Sequence, residues 1–130
     1  MSGVTAIFSY STSDTEDFDL KGRGIFNNKI VFVDITDNLT IDAANASTYN
    51  GKLWRLNNAA AKTVTLASDL PVGFNWGHKQ IGAGAFTIAG GSGMTSQTAG
   101  SKTKTNGQYS VGGGFVDAAG KFTLVGDITT

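Results

Sequence analysis

Apolar residues recur at every second position along this chain, in short runs separated by breaks rich in glycine, asparagine and serine. The segments IFSYS (7–11), KIVFVDI (29–35), NLTID (38–42), KLWRL (52–56), KTVTL (62–66), GAFTIA (84–89) and KFTLVGDI (121–128) read with period two or as short β-branched and aromatic runs. In KTVTL, Val64 and Leu66 are expected to face a core while Thr63 and Thr65 face out. In KLWRL, Leu53 and Arg55 share one face and Trp54 takes the other, which predicts a strand buried on both sides with Arg55 reaching an interface. No window carries a 3.6-residue apolar stripe longer than two turns, and the best helical segment, NNAAAK (57–62), has room for one turn. The pattern predicts an all-β fold, drawn as a single small antiparallel sandwich or barrel-like domain with short strands.

Turn chemistry falls between the runs. Asn50-Gly51, Asn106-Gly107 and Ala119-Gly120 suit positive φ, Asn-Gly being the strongest two-residue hairpin signal. The only proline, Pro71, sits at a bend before a new strand. Glycine runs at 82–84, 90–93 and 112–114 are too short for linkers and predict bulges, tight corners or close backbone approach. Neither an internal repeat nor a domain boundary is evident. Residues 1–130 read as one β domain, in which the more polar residues 1–24 form an N-terminal arm.

Composition narrows the function classes. A chain of 130 residues and 13.5 kDa suits one domain. Without cysteine there is no disulfide, thiolate zinc site, iron–sulfur cluster or cysteine nucleophile, and a lone histidine, His78, excludes a multi-histidine metal site within one chain. Ten bases balance ten acids, so the basic excess of a nucleic-acid binder is missing. No apolar run approaches the length of a membrane helix, and the first residues lack the basic start of an export signal. Charge is nevertheless uneven: residues 1–42 hold seven acids against three bases, and residues 43–130 hold three acids against seven bases. Only 15% of residues are charged, against about 25% in an ordinary soluble domain, which favours association. A subunit of something larger is expected.

Candidate chemistry is sparse. His78 titrates near neutrality and is the one acid–base candidate, but no G-x-S-x-G elbow accompanies it, so it is read as a polar residue on a β surface. Asp14, Glu16, Asp17 and Asp19 place oxygens at near-alternate positions without the glycine and distant glutamate of a calcium loop, and are read as a partner-facing acidic arm. Gly82-Ala-Gly84 and Gly90-Gly-Ser-Gly93 lack nucleotide-binding spacing. Lys102 and Lys104 read as an exposed edge that discourages mispairing. Trp54, Trp76, Tyr49 and Tyr109 could stack on sugars, although packing in a core or an interface is the commoner use of tryptophan and tyrosine. No cofactor and no metal site is expected.

From about Tyr49 the chain resembles a β module of tailed-bacteriophage virion proteins. The residues that carry the resemblance are Leu56-Asn57, Ala59 to Ala61, Thr63 to Leu66, Leu70-Pro71-Val72-Gly73-Phe74, Gln80-Ile81-Gly82-Ala83-Gly84 and Thr87-Ile88, with SKTKTNGQYS (101–110) and FTLVGDIT (122–129) resembling the module's tail. It covers residues 49–129, and the first 48 residues match nothing recognised. The resemblance implies a structural role in a virion, assembled in the host bacterial cytoplasm. Such modules occur in tail fibres, in tail-associated proteins and in small proteins that decorate heads. A chain that begins at Met1 and has no fibrous repeat is shorter than a tail fibre, which favours a capsid decoration or cement protein. The expected partners are the major capsid protein or other virion proteins and further copies of the chain, a trimer being favoured, with neither nucleic acid nor membrane. The expected partner-binding residues are Asp14, Glu16, Asp17, Asp19, Trp54, Arg55, Trp76, Lys102 and Lys104. The alternatives are a tail-fibre or tail-associated module that binds a receptor or glycan through Trp54 or Trp76, and a small hydrolase built on His78.

Overall fold

The computed structural model describes residues 29–130. The arm at 1–24, the run IFSYS and the acidic positions Asp14, Glu16, Asp17 and Asp19 lie outside the described residues. Eleven strands follow: β1 (Phe32–Ile35), β2 (Leu39–Ile41), β3 (Leu53–Leu56), β4 (Lys62–Leu66), β5 (Asn75–Gln80), β6 (Phe86–Gly90), β7 (Thr95–Ser96), β8 (Lys104–Thr105), β9 (Val111–Ala118), β10 (Lys121–Gly126) and β11 (Ile128–Thr129). Among the described residues the one α-helix is a single turn, α1 (Ala46–Tyr49), between β2 and β3. The all-β expectation holds.

The arrangement of those strands differs from the expected antiparallel sandwich or barrel. A first sheet has the order β1-β3-β5-β9-β10-β7 and a second the order β11-β8-β6-β4-β2. From β1 to β6 the chain alternates between them, so each circuit lays one strand in each sheet, and successive strands of a sheet run parallel. Parallel neighbours need a long crossover; here the crossover is the strand in the opposite sheet. Three solenoid-like coils result. Partners Phe32 and Leu53 are 21 residues apart, Leu39 and Val64 are 25 apart, and both Leu53 with Gly77 and Lys62 with Phe86 are 24 apart. A structural repeat therefore exists where none was legible, because the coils share levels and not residue identities. Antiparallel pairing appears only afterwards, where β9 joins β5 and β10, and β8 joins β6 and β11. The first coil, β1 and β2, stacks on the coil of β3 and β4.

Period-two alternation builds the core between the sheets. Trp54, Leu56, Trp76, Val116, Phe122 and Leu124 come inward from the first sheet, and Ile41, Val64, Leu66, Phe86 and Ile88 from the second, all of them buried. KTVTL behaves as its alternation predicts. KLWRL does not lie buried on both sides: Trp54 and Leu56 are inside, Leu53 is half-buried and Arg55 is exposed. NNAAAK forms no helix. Asn58 Oδ1 caps the Ala60 amide at 2.8 Å, and the next coil presses against this turn, with the Gly84 amide donating to Asn58 O at 2.9 Å. Of the three turn dipeptides only Ala119-Gly120 closes a hairpin, between β9 and β10, with Gly120 at φ +70°. Asn50-Gly51 ends α1, and Asn106-Gly107 carries the chain from the second sheet to the first.

The glycine runs are places of close approach. A Cβ on Gly84 would stand 2.1 Å from Ala60 O, and one on Gly114 would stand 2.5 Å from Trp76 Cζ2. Neither neighbour has room to yield. Gly84→Ala and Gly114→Ala are each expected to destabilise the fold by about 3 kcal/mol, the upper end of the cost of overpacking. Urea denaturation of the two variants against the parent checks this, and an unchanged midpoint in either would refute the packing described.

Candidate functional site

Among the described residues, the side chains singled out from the sequence form no common site, although two of them meet. Trp54 and Trp76 lie at inward positions of neighbouring strands, their rings stacked at 4.8 Å and 2°. Phe74 leans on both at 6.5 and 5.9 Å, and Tyr49 meets Trp54 edge-on at 6.2 Å. Both indole N–H groups are used internally: Trp54 Nε1 donates to Tyr49 O at 2.9 Å, and Trp76 Nε1 to His78 Nδ1 at 3.1 Å. The expectation that these tryptophans touch a partner or a sugar is corrected, since they hold the core together. Arg55 projects from the outer face of the first sheet. Lys104 is half-buried on β8 of the second sheet, across the body from Arg55, and Lys102 is exposed just before it.

His78 is also misplaced by the sequence reading, being fully buried and not on a β surface. Its Nδ1 accepts the Trp76 proton, so the neutral ring carries its own proton on Nε2. That atom is buried without a hydrogen-bond partner among the described residues and packs against the backbone of Gly112, where a Cβ would lie 2.8 Å away. Burial pushes the imidazole pKa from 6.5 down to about 4. A ring so enclosed cannot reach a substrate. Beyond it, buried Gln80 spans the sheets: its Oε1 takes a short hydrogen bond from Thr105 Oγ1, which in turn accepts the Phe86 amide at 3.0 Å, and its Nε2 donates to Gly82 O at 3.0 Å.

The two outer faces differ in chemistry. On the second sheet Thr40, Thr63, Thr65 and Thr87 alternate with the core residues, and a shallow recess of about 400 Å³ is lined by Asn38, Leu39, Thr40, Thr63 and Thr65. On the first sheet four outward side chains are apolar and exposed, Phe32, Val111, Phe115 and Val125 at 53%, 51%, 38% and 46%, with Asp34, Asn75 and Thr123 between them. Arg55 and Lys79 stand among them. Arg55 Nε meets Asp34 Oδ1 at 2.7 Å, and the guanidinium lies over the Phe32 ring at 5.5 Å. The hydrogen bond and charge of Asp34 raise the Arg55 pKa above its usual value. Lys79 Nζ sits 5.7 Å from the ring centre of Tyr109, which is 63% exposed and held at φ +70°. Positive φ is a strained conformation for an aromatic residue. The alternation of KIVFVDI could have pointed to Phe32, opposite Val33 and Ile35. No signal marked Val111 and Phe115, because the glycines between them concealed β9.

Among the described residues no group of three acidic or histidine side chains is placed to hold a metal ion, and no helix is long and apolar enough to cross a membrane.

The His78 environment sets a pH dependence. Its folded pKa is below the unfolded value, so the neutral ring favours the fold above pH 6.5, and that contribution is lost as pH falls toward 4. The loss amounts to roughly 3 kcal/mol across that interval. His78→Asn keeps an acceptor for Trp76 Nε1 and cannot titrate. Urea midpoints at pH 7 and pH 4.5 are expected to differ less in this variant than in the parent, and equal differences would refute the assignment.

Comparison with known protein families, with curated proteins and with solved structures found no match to this chain.

Proposed function

We propose that the chain is a non-enzymatic structural protein of a bacteriophage virion, a decoration or cement protein that binds the major capsid protein lattice and stabilises the head. The observation that carries this reading is the apolar outer face of the first sheet, with Phe32, Val111, Phe115 and Val125 exposed on a body whose large aromatic core is closed. Large apolar side chains exposed together on one face suit association. The low charge content acts in the same direction. The phage-like motifs supply the context: Leu56-Asn57, Thr63 to Leu66 and Gln80 to Gly84 are the strand ends and stacked turns of two successive coils.

Cementing needs no chemistry at a reactive atom. A small rigid body that buries roughly 1,000 Å² across a capsomer boundary forms a specific contact, and many symmetric copies add up to resistance against internal pressure. In-register parallel coils give that rigidity, because each strand of the middle coil is hydrogen-bonded on both sides. Copies assemble as a symmetric homo-oligomer before or upon docking. Glycan binding through Trp54 or Trp76 and hydrolysis at His78 lose support, all three side chains being buried.

Quantitative mass spectrometry of purified particles of the phage that encodes the chain tests the proposal. Copy numbers comparable with the major capsid protein are expected. A handful of copies per particle would replace decoration with a tail or vertex fitting, and absence from the particle would overturn the virion role.

A further inference from the structure

Glycine is the poorest strand former, and within the described strands every glycine but one is explained by the fold itself. Gly90, Gly112, Gly113 and Gly114 would drive a Cβ to within 2.1 to 2.6 Å of a neighbouring atom, and Gly126 has φ +98°. Gly77, in the middle of β5, has neither reason. A Cβ there would meet Leu53 Cδ1 at an ordinary 3.6 Å, on a backbone of normal φ. The position lies on the outer face, between inward Trp76 and His78. Nothing among the described residues uses the space it leaves.

The surroundings say what does. Gly77 is paired with Gly113, and the row across the first sheet reads Phe32, Leu53, Gly77, Gly113, Val125. Gly77, half-buried, and Gly113, buried, leave a floor without side chains between Leu53 and Val125, roughly 14 Å apart across three strand spacings. The knob that fits such a floor is on the same face: Phe115 is exposed and stands two residues along β9 from Gly113, roughly 7 Å away. A two-fold axis running across the strands at the level of Gly114 sets Phe115 of each copy on the glycine floor of the other. Such an interface is isologous and closes at two subunits.

We propose that the outer face of the first sheet is the contact between two copies of this chain, packed sheet against sheet with Phe115 seated on Gly77 and Gly113 of the second copy. The area suffices: five strands across and six residues along cover roughly 24 by 20 Å, so that two copies bury on the order of 1,000 Å². Charge does not oppose the contact. Asp34 neutralises Arg55 within the face, and the Lys79 ammonium rests on Tyr109 at its rim. This inference names the oligomer contact of the structural role proposed above. Absence of the protein from particles would remove that role and leave this contact standing.

Sedimentation velocity on the full chain tests it. A dimer of twice 13.5 kDa is expected. Gly77→Lys and Phe115→Lys should each weaken dimerisation by about thirtyfold or more, the loss typical of a central interface residue. Thr65→Lys, on the opposite face, should leave the dimer intact. Gly77→Ala covers the case in which a lysine harms folding, because its methyl group has room: its thermal midpoint as a monomer should equal or exceed that of the parent while dimerisation weakens. A parent that stays monomeric at all concentrations, or an oligomer indifferent to Gly77 and Phe115, would overturn the proposal.

Discussion

The stack of Trp54 on Trp76 is the interaction on which the rest of this structure depends. Its 4.8 Å ring separation equals the spacing of hydrogen-bonded strands. Trp54 is level with His78, so Trp76 stands one inward position earlier on β5, and the two indoles can meet only across the diagonal between neighbouring strands. Parallel coils meet this requirement by placing β3 beside β5 with a 24-residue offset. The width of the rings then constrains the next strand. Trp76 reaches over Gly114 and His78 over Gly112, and any side chain at either glycine would collide with them. The antiparallel, glycine-filled β9 is thus a consequence of the aromatic row on β5, and it is this strand that ends the parallel succession in the first sheet.

Polar groups in the core are arranged to serve the same row. Each indole needs an acceptor in a place where water is excluded, and the carbonyl of Tyr49 and Nδ1 of His78 provide them. The imidazole acts as an acceptor only while it is neutral, and burial keeps it so. Gln80 and Thr105 do comparable work at the other end of β5, joining the two sheets by hydrogen bonds where the apolar layer runs out. The one histidine in the chain is therefore accounted for by packing.

Most strands were legible in the sequence, because period-two alternation is a local property and KTVTL, KLWRL and NLTID show it plainly. Their partners were not. Whether β3 pairs with β4 or with β5 depends on what lies 24 residues away, and the coils repeat levels without repeating letters: Ile35, Leu56 and Gln80 occupy one level, and Val33, Trp54 and His78 another. Turn signals misled in the same way. Asn-Gly is a hairpin signal when the strands it joins belong to one sheet, yet Asn106-Gly107 joins two sheets. His78 looked like a surface residue because Asn75, Lys79 and the glycines around it are polar or small. Its burial comes from its place on the inward side of β5, which alternation from Trp76 could have shown.

The contrast between the two outer faces bears most directly on function. Threonine on a sheet exterior keeps its hydroxyl in water and satisfies strand propensity at no cost in solubility, so the second sheet looks as an exposed sheet is expected to look. The first sheet does not. It keeps phenylalanine and valine in water at four positions and, at Gly77, gives up a side chain that its own packing would accept. Both departures weaken an isolated molecule, one through exposed apolar surface and the other through loss of strand propensity. They fall on the same face of the same sheet: Gly77 shares its row with Phe32 and Val125, and Phe115 and Val111 stand one outward position to either side of that row. Sequence choices that disagree with the isolated fold at one surface and agree with it elsewhere point to a fold completed by contact at that surface.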